Sequence, residues 1–161
     1  MPTQAEKAME IWKGLIGKPE GTGEWLKVEQ SRINTFADAT LDHQFIHIDP
    51  EKSAQLSPYK VTIAHGFLTL SLVPHLGAAV PMADPKAYEG VVAGVNYGLD
   101  KVRFPSPVKV NSRIRAHREL LNAELVNPST IQLKQKVTIE IEGETKPACV
   151  AETLSRLIYG G

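Results

Sequence analysis

The run AHGFLTLSLVPHLGAAV, residues 64–80, decides how the rest of the chain is read. Phe67, Leu68, Leu70, Leu72, Val73 and Leu76 surround a helical wheel instead of forming one stripe. A helix that is apolar all round is a buried helix. The segment therefore predicts a helix enclosed by other elements. Pro74 has no N–H and crowds the preceding turn, so a kink or a shortened helix is expected there.

What encloses the helix lies downstream. VVAGVNYGLDKVRF (91–104), PVKVNSRIRAHREL (107–120), TIQLKQKVTIEI (130–141) and PACVAETLSRLIY (147–159) are strand-like. Apolar and polar residues alternate in VKVNSRIRAH and KQKVTIEIEG, as in a sheet with one solvated face. NPST (127–130) and EGET (142–145) supply turns. Pro105 and Pro107 fit an interruption between strands. Upstream, residues 4–16 predict a helix capped by Thr3, with Ala5, Met9, Trp12, Leu15 and Ile16 on one side. KPEGTG breaks it, and EWLKVEQ reads as a short strand. Ser31 is expected to cap a helix over RINTFADAT. Asp49 and Pro50 have the cap and first-turn chemistry of another helix. Helices followed by antiparallel strands give an α+β class, with the sheet wrapped around the one buried helix.

The chemistry concentrates just upstream, in LDHQFIHID, residues 41–49. Asp42 and His47 are five apart, which puts them on opposite faces of a strand and about 140° apart on a helix at ~100° per residue. Pro50 pushes residue 49 out of helical geometry. Only an irregular loop can aim both side chains at one point. A carboxylate and an imidazole that converge can hold a water and move its protons, and apolar neighbours strengthen them. The same spacing also fits a plain turn with a satisfied histidine. His43, His47 and His65 offer a third reading as metal ligands, but HQFIH lacks the glutamate of an HExxH site. No metal is expected. His65–Gly66 leads into the buried helix, where free N–H groups point outward. Gly66 lets a ligand oxygen approach that end closely. His65 itself is assigned a structural role.

The totals narrow the function classes. The 161 residues suit one domain spanning 1–161, 42% of them hydrophobic and 22% charged. Lys+Arg and Asp+Glu are equal at 18 each, which argues against a nucleic-acid partner. A single cysteine, Cys149, excludes an internal disulfide and is read as a small buried hydrophobe. The N-terminus has no signal-like apolar core, and no run reaches the ~18 residues of a bilayer span. A cytoplasmic protein with no membrane partner is the expectation.

FADATLDHQFIHIDPEKS followed by TIAHGFLTLSL resembles the MaoC-like dehydratases, the (R)-specific enoyl-CoA hydratases of the hot-dog fold. The nodulation protein N subgroup is most similar, and NYGLDKVRFPSPVKVNSRIR extends the likeness. The resemblance implies a hot-dog fold: an antiparallel sheet around a central helix, usually as a homodimer. It implies Asp42 and His47 as the catalytic pair and the Gly66 N–H as binder of the thioester carbonyl. The product implied is (R)-3-hydroxyacyl-CoA. The common motif reads T-G-D-x-N-P-I-H. Here Leu41, Gln44 and Phe45 replace its glycine, asparagine and proline, and Leu41 argues against a positive φ.

Hydration of an enoyl thioester needs an activated water, a proton for the α-carbon and stabilised enolate charge. Asp42 is assigned as base and His47 as proton donor, roles the pair can share. No cofactor is needed, because hydration changes no net oxidation state and CoA is part of the acyl-CoA substrate. Asn96 and Tyr97 are placed in the pocket. Lys101, Arg103, Lys109, Arg113, Arg115 and Arg118 are candidate contacts for CoA phosphates. An acyl-CoA thioesterase and a non-catalytic acyl-CoA-binding module remain as alternatives on the same fold.

Overall fold

A computed structural model describes residues 1–161. Helix α1, Gln4–Leu15, opens the chain with a full capping box between Thr3 and Glu6. Ala5, Ala8, Met9 and Trp12 recur at helical spacing and form its buried face. Two short strands follow, β1 (Pro19–Thr22) and β2 (Leu26–Lys27). EWLKVEQ therefore contributes only two paired residues. Helix α2 runs Gln30–Thr40 and begins from Glu29, with no side-chain cap; Ser31 lies inside the helix rather than capping it.

Helices α3 (Phe45–Ile48) and α4 (Pro50–Leu56) join at Asp49, whose side chain accepts from the Lys52 N–H. The segment expected to be one buried helix is two short ones, α5 (Gly66–Ser71) and α6 (Val73–Ala78). Pro74 stands in the first turn of α6, where its missing N–H has no helical partner to lose. Leu68, Thr69, Leu76 and Gly77 are buried, whereas Phe67 is 71% exposed. The helix pair thus lies on the sheet by one face, and the outer face is not enclosed within this chain.

Four long strands complete the fold: β3 (Val91–Arg103), β4 (Arg113–Asn127), β5 (Thr130–Ile141) and β6 (Cys149–Tyr159). They are antiparallel in the order β1-β4-β5-β6-β3, with β2 beside β4. β4 starts later than PVKVNSRIRAHREL implied. Asn111 takes φ 69 and turns the chain, so Lys109 reaches only a single bridge with Ile63.

Two apolar clusters cover the inner face of the sheet. One joins Ile33, Leu68 and Leu76 to Ile114, Val137 and Ile139. The other joins the face of α1 to Leu120, Ile131, Leu133 and Leu157. In the second, Trp12 Nε1 donates to Tyr159 Oη at 3.0 Å, and Tyr159 Oη donates to the Ala87 carbonyl at 2.7 Å. Between the clusters, at positions 118 and 135, the alternation of β4 and β5 brings Arg118 and Gln135 inward. No helix is long and apolar enough to cross a membrane.

Candidate active site

Helix α2 ends on Leu41 in the left-handed conformation, φ 65 and ψ 20. This overturns the expectation that leucine excludes a positive φ there. A helix very commonly stops on one left-handed residue, and Leu41 is 80% exposed, so its side chain meets little there. The reversal turns the chain out of α2 directly before Asp42. Three residues later the single turn of α3 carries His47 inward, where it is buried. A loop followed by one helical turn thus does what neither a strand nor a long helix can. Polar atoms of Asp42, His47 and His65 lie within 4.8 Å of one another.

His47 is held firmly. Its Nδ1 is 2.7 Å from the carbonyl of Ile63, which can only accept. Nδ1 therefore carries the hydrogen, and the neutral ring presents a lone pair on Nε2. Gln30 Nε2 donates to the His47 carbonyl at 2.7 Å, and Thr62 Oγ1 donates to Gln30 Oε1 at 2.5 Å. Burial pushes the imidazole below its usual value of 6.5; the Ile63 hydrogen bond opposes this, the neighbouring His65 reinforces it, and the Asp42 carboxylate opposes it. His47 is therefore neutral near pH 7.

His65 does more than enter a helix. Its ring stacks on that of His47, with centroids 3.8 Å apart and planes 21° apart. His65 Nε2 donates to the backbone carbonyl of Asp42 at 2.9 Å, while Nδ1 is buried with no partner. One ring thus braces both members of the pair. His43 stands apart: it meets exposed Asp38 at 2.9 Å. The trio of His43, His47 and His65 considered as metal ligands does not form.

Gly66 begins α5, and its N–H has no hydrogen-bond partner within the chain. A Cβ at this position would sit 3.2 Å from the ring of Phe104, so only glycine fits without displacing that side chain. One residue on, Phe67 lines a cavity of about 650 Å³ between α5–α6 and strands β3, β5 and β6. Asn96 and Tyr97 line this cavity, and Arg118 and Gln135 join them. Asp42 and His47 do not line it; His65, which touches both, lies two residues before Phe67, which does.

The MaoC like domain model matches residues 13–142 of this sequence. The chain belongs to the MaoC-like dehydratase family. Within it, this MaoC-like chain is 46% identical over 142 residues to 3-hydroxyacyl-thioester dehydratase Z of Mycobacterium tuberculosis, covering 88% of this chain and 90% of that one. It is likewise 46% identical to nodulation protein N of Rhizobium leguminosarum bv. viciae, over 87% of this chain and 84% of that one. The hot-dog fold is shared with a MaoC-like dehydratase from Rhodospirillum rubrum, at TM-score 0.69, 16% identity and coverage of 91% and 94%. An R-hydratase from Pseudomonas aeruginosa matches at TM-score 0.66 and 20% identity, with 90% of this chain and 83% of that chain covered.

The cationic residues divide. Arg113 pairs with Glu142, Arg115 with Glu140, and Arg118 with Glu20. Lys101, Arg103 and Lys109 form no ion pair with an acidic side chain. Lys109 bridges to Ile63, the residue that holds His47, and Arg103 precedes Phe104, which covers Gly66. Cys149 is fully buried, and burial pushes its thiol up to about 11, as befits a packing residue. Gln30 and Thr62 carried no signal in the sequence, since Gln30 reaches His47 from 17 residues away and Thr62 reaches Gln30 from 32.

Proposed function

We propose that this chain hydrates trans-2-enoyl-CoA to (R)-3-hydroxyacyl-CoA, and dehydrates in reverse, at Asp42 and His47. One observation carries the reading: the Asp42 carboxylate and an acceptor-tautomer His47 lie within 4.8 Å, beside the unpaired N–H of Gly66 and an apolar cavity. The tautomer supports giving the water's proton first to His47 Nε2, the reverse of the order assigned from sequence. Asp42 accepts the other hydrogen of the same water. The oxygen adds to the β-carbon, and the electron pair of the double bond moves to the thioester oxygen. The Gly66 N–H meets that charge. The imidazolium, steadied by Asp42, then returns its proton to the α-carbon. One water has been added, with no redox change and no metal or cofactor required.

The acyl tail fills the cavity beyond Phe67, with Asn96 on its wall. Lys101, Arg103 and Lys109 are the cations free to meet CoA phosphates. A homodimer fits the same frame. β3 bonds to β6 on one side only and exposes Val92, Val95, Tyr97 and Leu99. An edge of thirteen residues left open is a template for pairing. Light scattering at micromolar concentration should give twice the chain mass; monomer alone would refute this part.

The test of the reaction is optical. Loss of the conjugated enoyl-thioester absorbance with no free thiol released supports hydration. Thiol release instead makes the chain a thioesterase, and binding without turnover makes it an acyl-CoA-binding module. Coupling the product to an (S)-specific dehydrogenase should give little signal; a full signal would overturn the (R) assignment.

A further inference from the structure

The far end of the cavity is not apolar. On the inner face of the sheet, Glu20, Arg118 and Gln135 meet between the two hydrophobic clusters. Glu20 is nearly fully buried, with 2% of its side chain exposed, and pairs with Arg118, itself 13% exposed. Arg118 Nε donates to Glu20 Oε2, and Nη1 donates to the Gly77 carbonyl at 3.1 Å. Nη2 donates to nothing. Gln135, 9% exposed, donates through Nε2 to Glu20 at 3.3 Å and leaves Oε1 without a partner. Both Arg118 and Gln135 line the cavity. Neither atom is sealed from solvent, since the one buried side-chain polar atom without a partner is His65 Nδ1; the free guanidinium donor and the free amide acceptor are therefore open to whatever fills the cavity. An alkyl tail pressed against them would strip their water and return no hydrogen bond.

We propose that this polar end is a recognition site for an acyl tail bearing a neutral oxygen function, a hydroxyl above all, in an inference that rests on the hydratase reading. A hydroxyl accepts from Arg118 Nη2 and donates to Gln135 Oε1, satisfying both. A terminal carboxylate is disfavoured, because Glu20 already neutralises Arg118 and a second buried carboxylate would add an unpaired charge. The distance also limits the tail. Gly66 and Gly77 are eleven residues apart on α5–α6, roughly 16 Å at helical rise, and Gly77 is the residue whose carbonyl holds Arg118.

The experiment is a binding series with three saturated acyl-CoAs of one length, chosen to span that distance: plain alkyl, ω-hydroxy and ω-carboxy. Calorimetry on the intact protein should rank hydroxy above alkyl by about 5- to 10-fold, the worth of a satisfied hydrogen bond, with carboxy weakest. Gln135→Leu, which leaves the Arg118–Glu20 pair whole, should collapse the hydroxy-to-alkyl ratio toward one. Glu20→Gln, which keeps the shape but leaves Arg118 unopposed, should raise the carboxy tail above the hydroxy tail. Equal affinity for the three tails in the parent protein, or no binding of any, would overturn the proposal. Turnover of a short plain enoyl-CoA, measured alongside, reports on hydration separately. Its absence with the tail ranking intact would sink the reaction and keep the site; its presence with a flat ranking would do the opposite.

Discussion

Leu41 offers an unusual substitution, a leucine whose replacement by glycine should strengthen the protein. Its backbone sits at φ 65 and ψ 20. A non-glycine residue in that region bears about 1–2 kcal/mol of steric strain. Leu41→Gly removes it, and with 80% of the residue exposed almost no packing is lost. Against this, glycine gives up about 0.5–1 kcal/mol more backbone freedom on folding. The balance is about 0.5–1 kcal/mol in favour of the variant. For a chain of this size that raises Tm by about 1–4 °C. Calorimetric melts of parent and variant in one buffer make the comparison. Asp42 follows directly, so enoyl-CoA turnover should be followed in parallel and should stay near the parent value. A Tm lower by more than about 2 °C would refute the strain argument. A higher Tm with collapsed turnover would show instead that the strained cap aims Asp42.

Other outcomes follow from single contacts. Gly66→Ala drives a Cβ to 3.2 Å from the Phe104 ring; it should destabilise by about 1–3 kcal/mol through overpacking and lower turnover, and a variant with parental Tm and rate would contradict the close approach. Burial holds the His47 imidazole below 6.5, and the mechanism needs it neutral, so the acid limb of kcat/KM should be centred below pH 6.5. The same depression makes the folded state bind fewer protons than the unfolded one, so His47 contributes stability above pH 6.5 that is lost as pH drops through its folded value; an acid limb centred above 6.5, or a His47→Gln variant with unchanged acid sensitivity, would contradict this. Tyr159→Phe leaves Trp12 Nε1 and the Ala87 carbonyl unpaired in the core and should cost about 2 kcal/mol or more in urea unfolding, whereas a loss under about 0.5 kcal/mol would show that water replaces the hydroxyl.

What the sequence made legible follows from how local each cause is. The long strands were readable because alternation is a property of the segment itself. The Thr3 cap and the Asp49–Pro50 start were readable because the partners lie within three residues. For Asp42 and His47 the spacing showed only that an irregular loop was needed to bring them together and fitted a plain turn equally; their pairing was implied by the family resemblance. The failures have the opposite character. Leu41 adopts a left-handed backbone because the chain must reverse between α2 and the Asp42 loop, a demand set by tertiary packing. The helix over 64–80 looks uniformly apolar in sequence, yet Phe67 and part of its outer face stay open, because the sheet of one chain covers only one side. Ser31 lost the cap position to Glu29, since helix boundaries answer to packing as well as to cap chemistry. The bracing of His47 by Gln30, Thr62 and His65 depends on residues brought together from three elements. Arg118 looked from sequence like a surface cation for phosphate, and only the fold turns it inward onto Glu20.

Whether Asp42 and His47 act as one unit on one water is decided by a double-mutant comparison on a good enoyl-CoA substrate. Asp42→Asn and His47→Gln should each lower hydration turnover by roughly 10²–10⁴. The double variant should be little worse than the worse single, because either loss already disables the unit. His43→Gln, which touches only the exposed pair with Asp38, should leave turnover near the parent value. Near-normal turnover in either single variant, with its fold intact by calorimetry, would contradict the account.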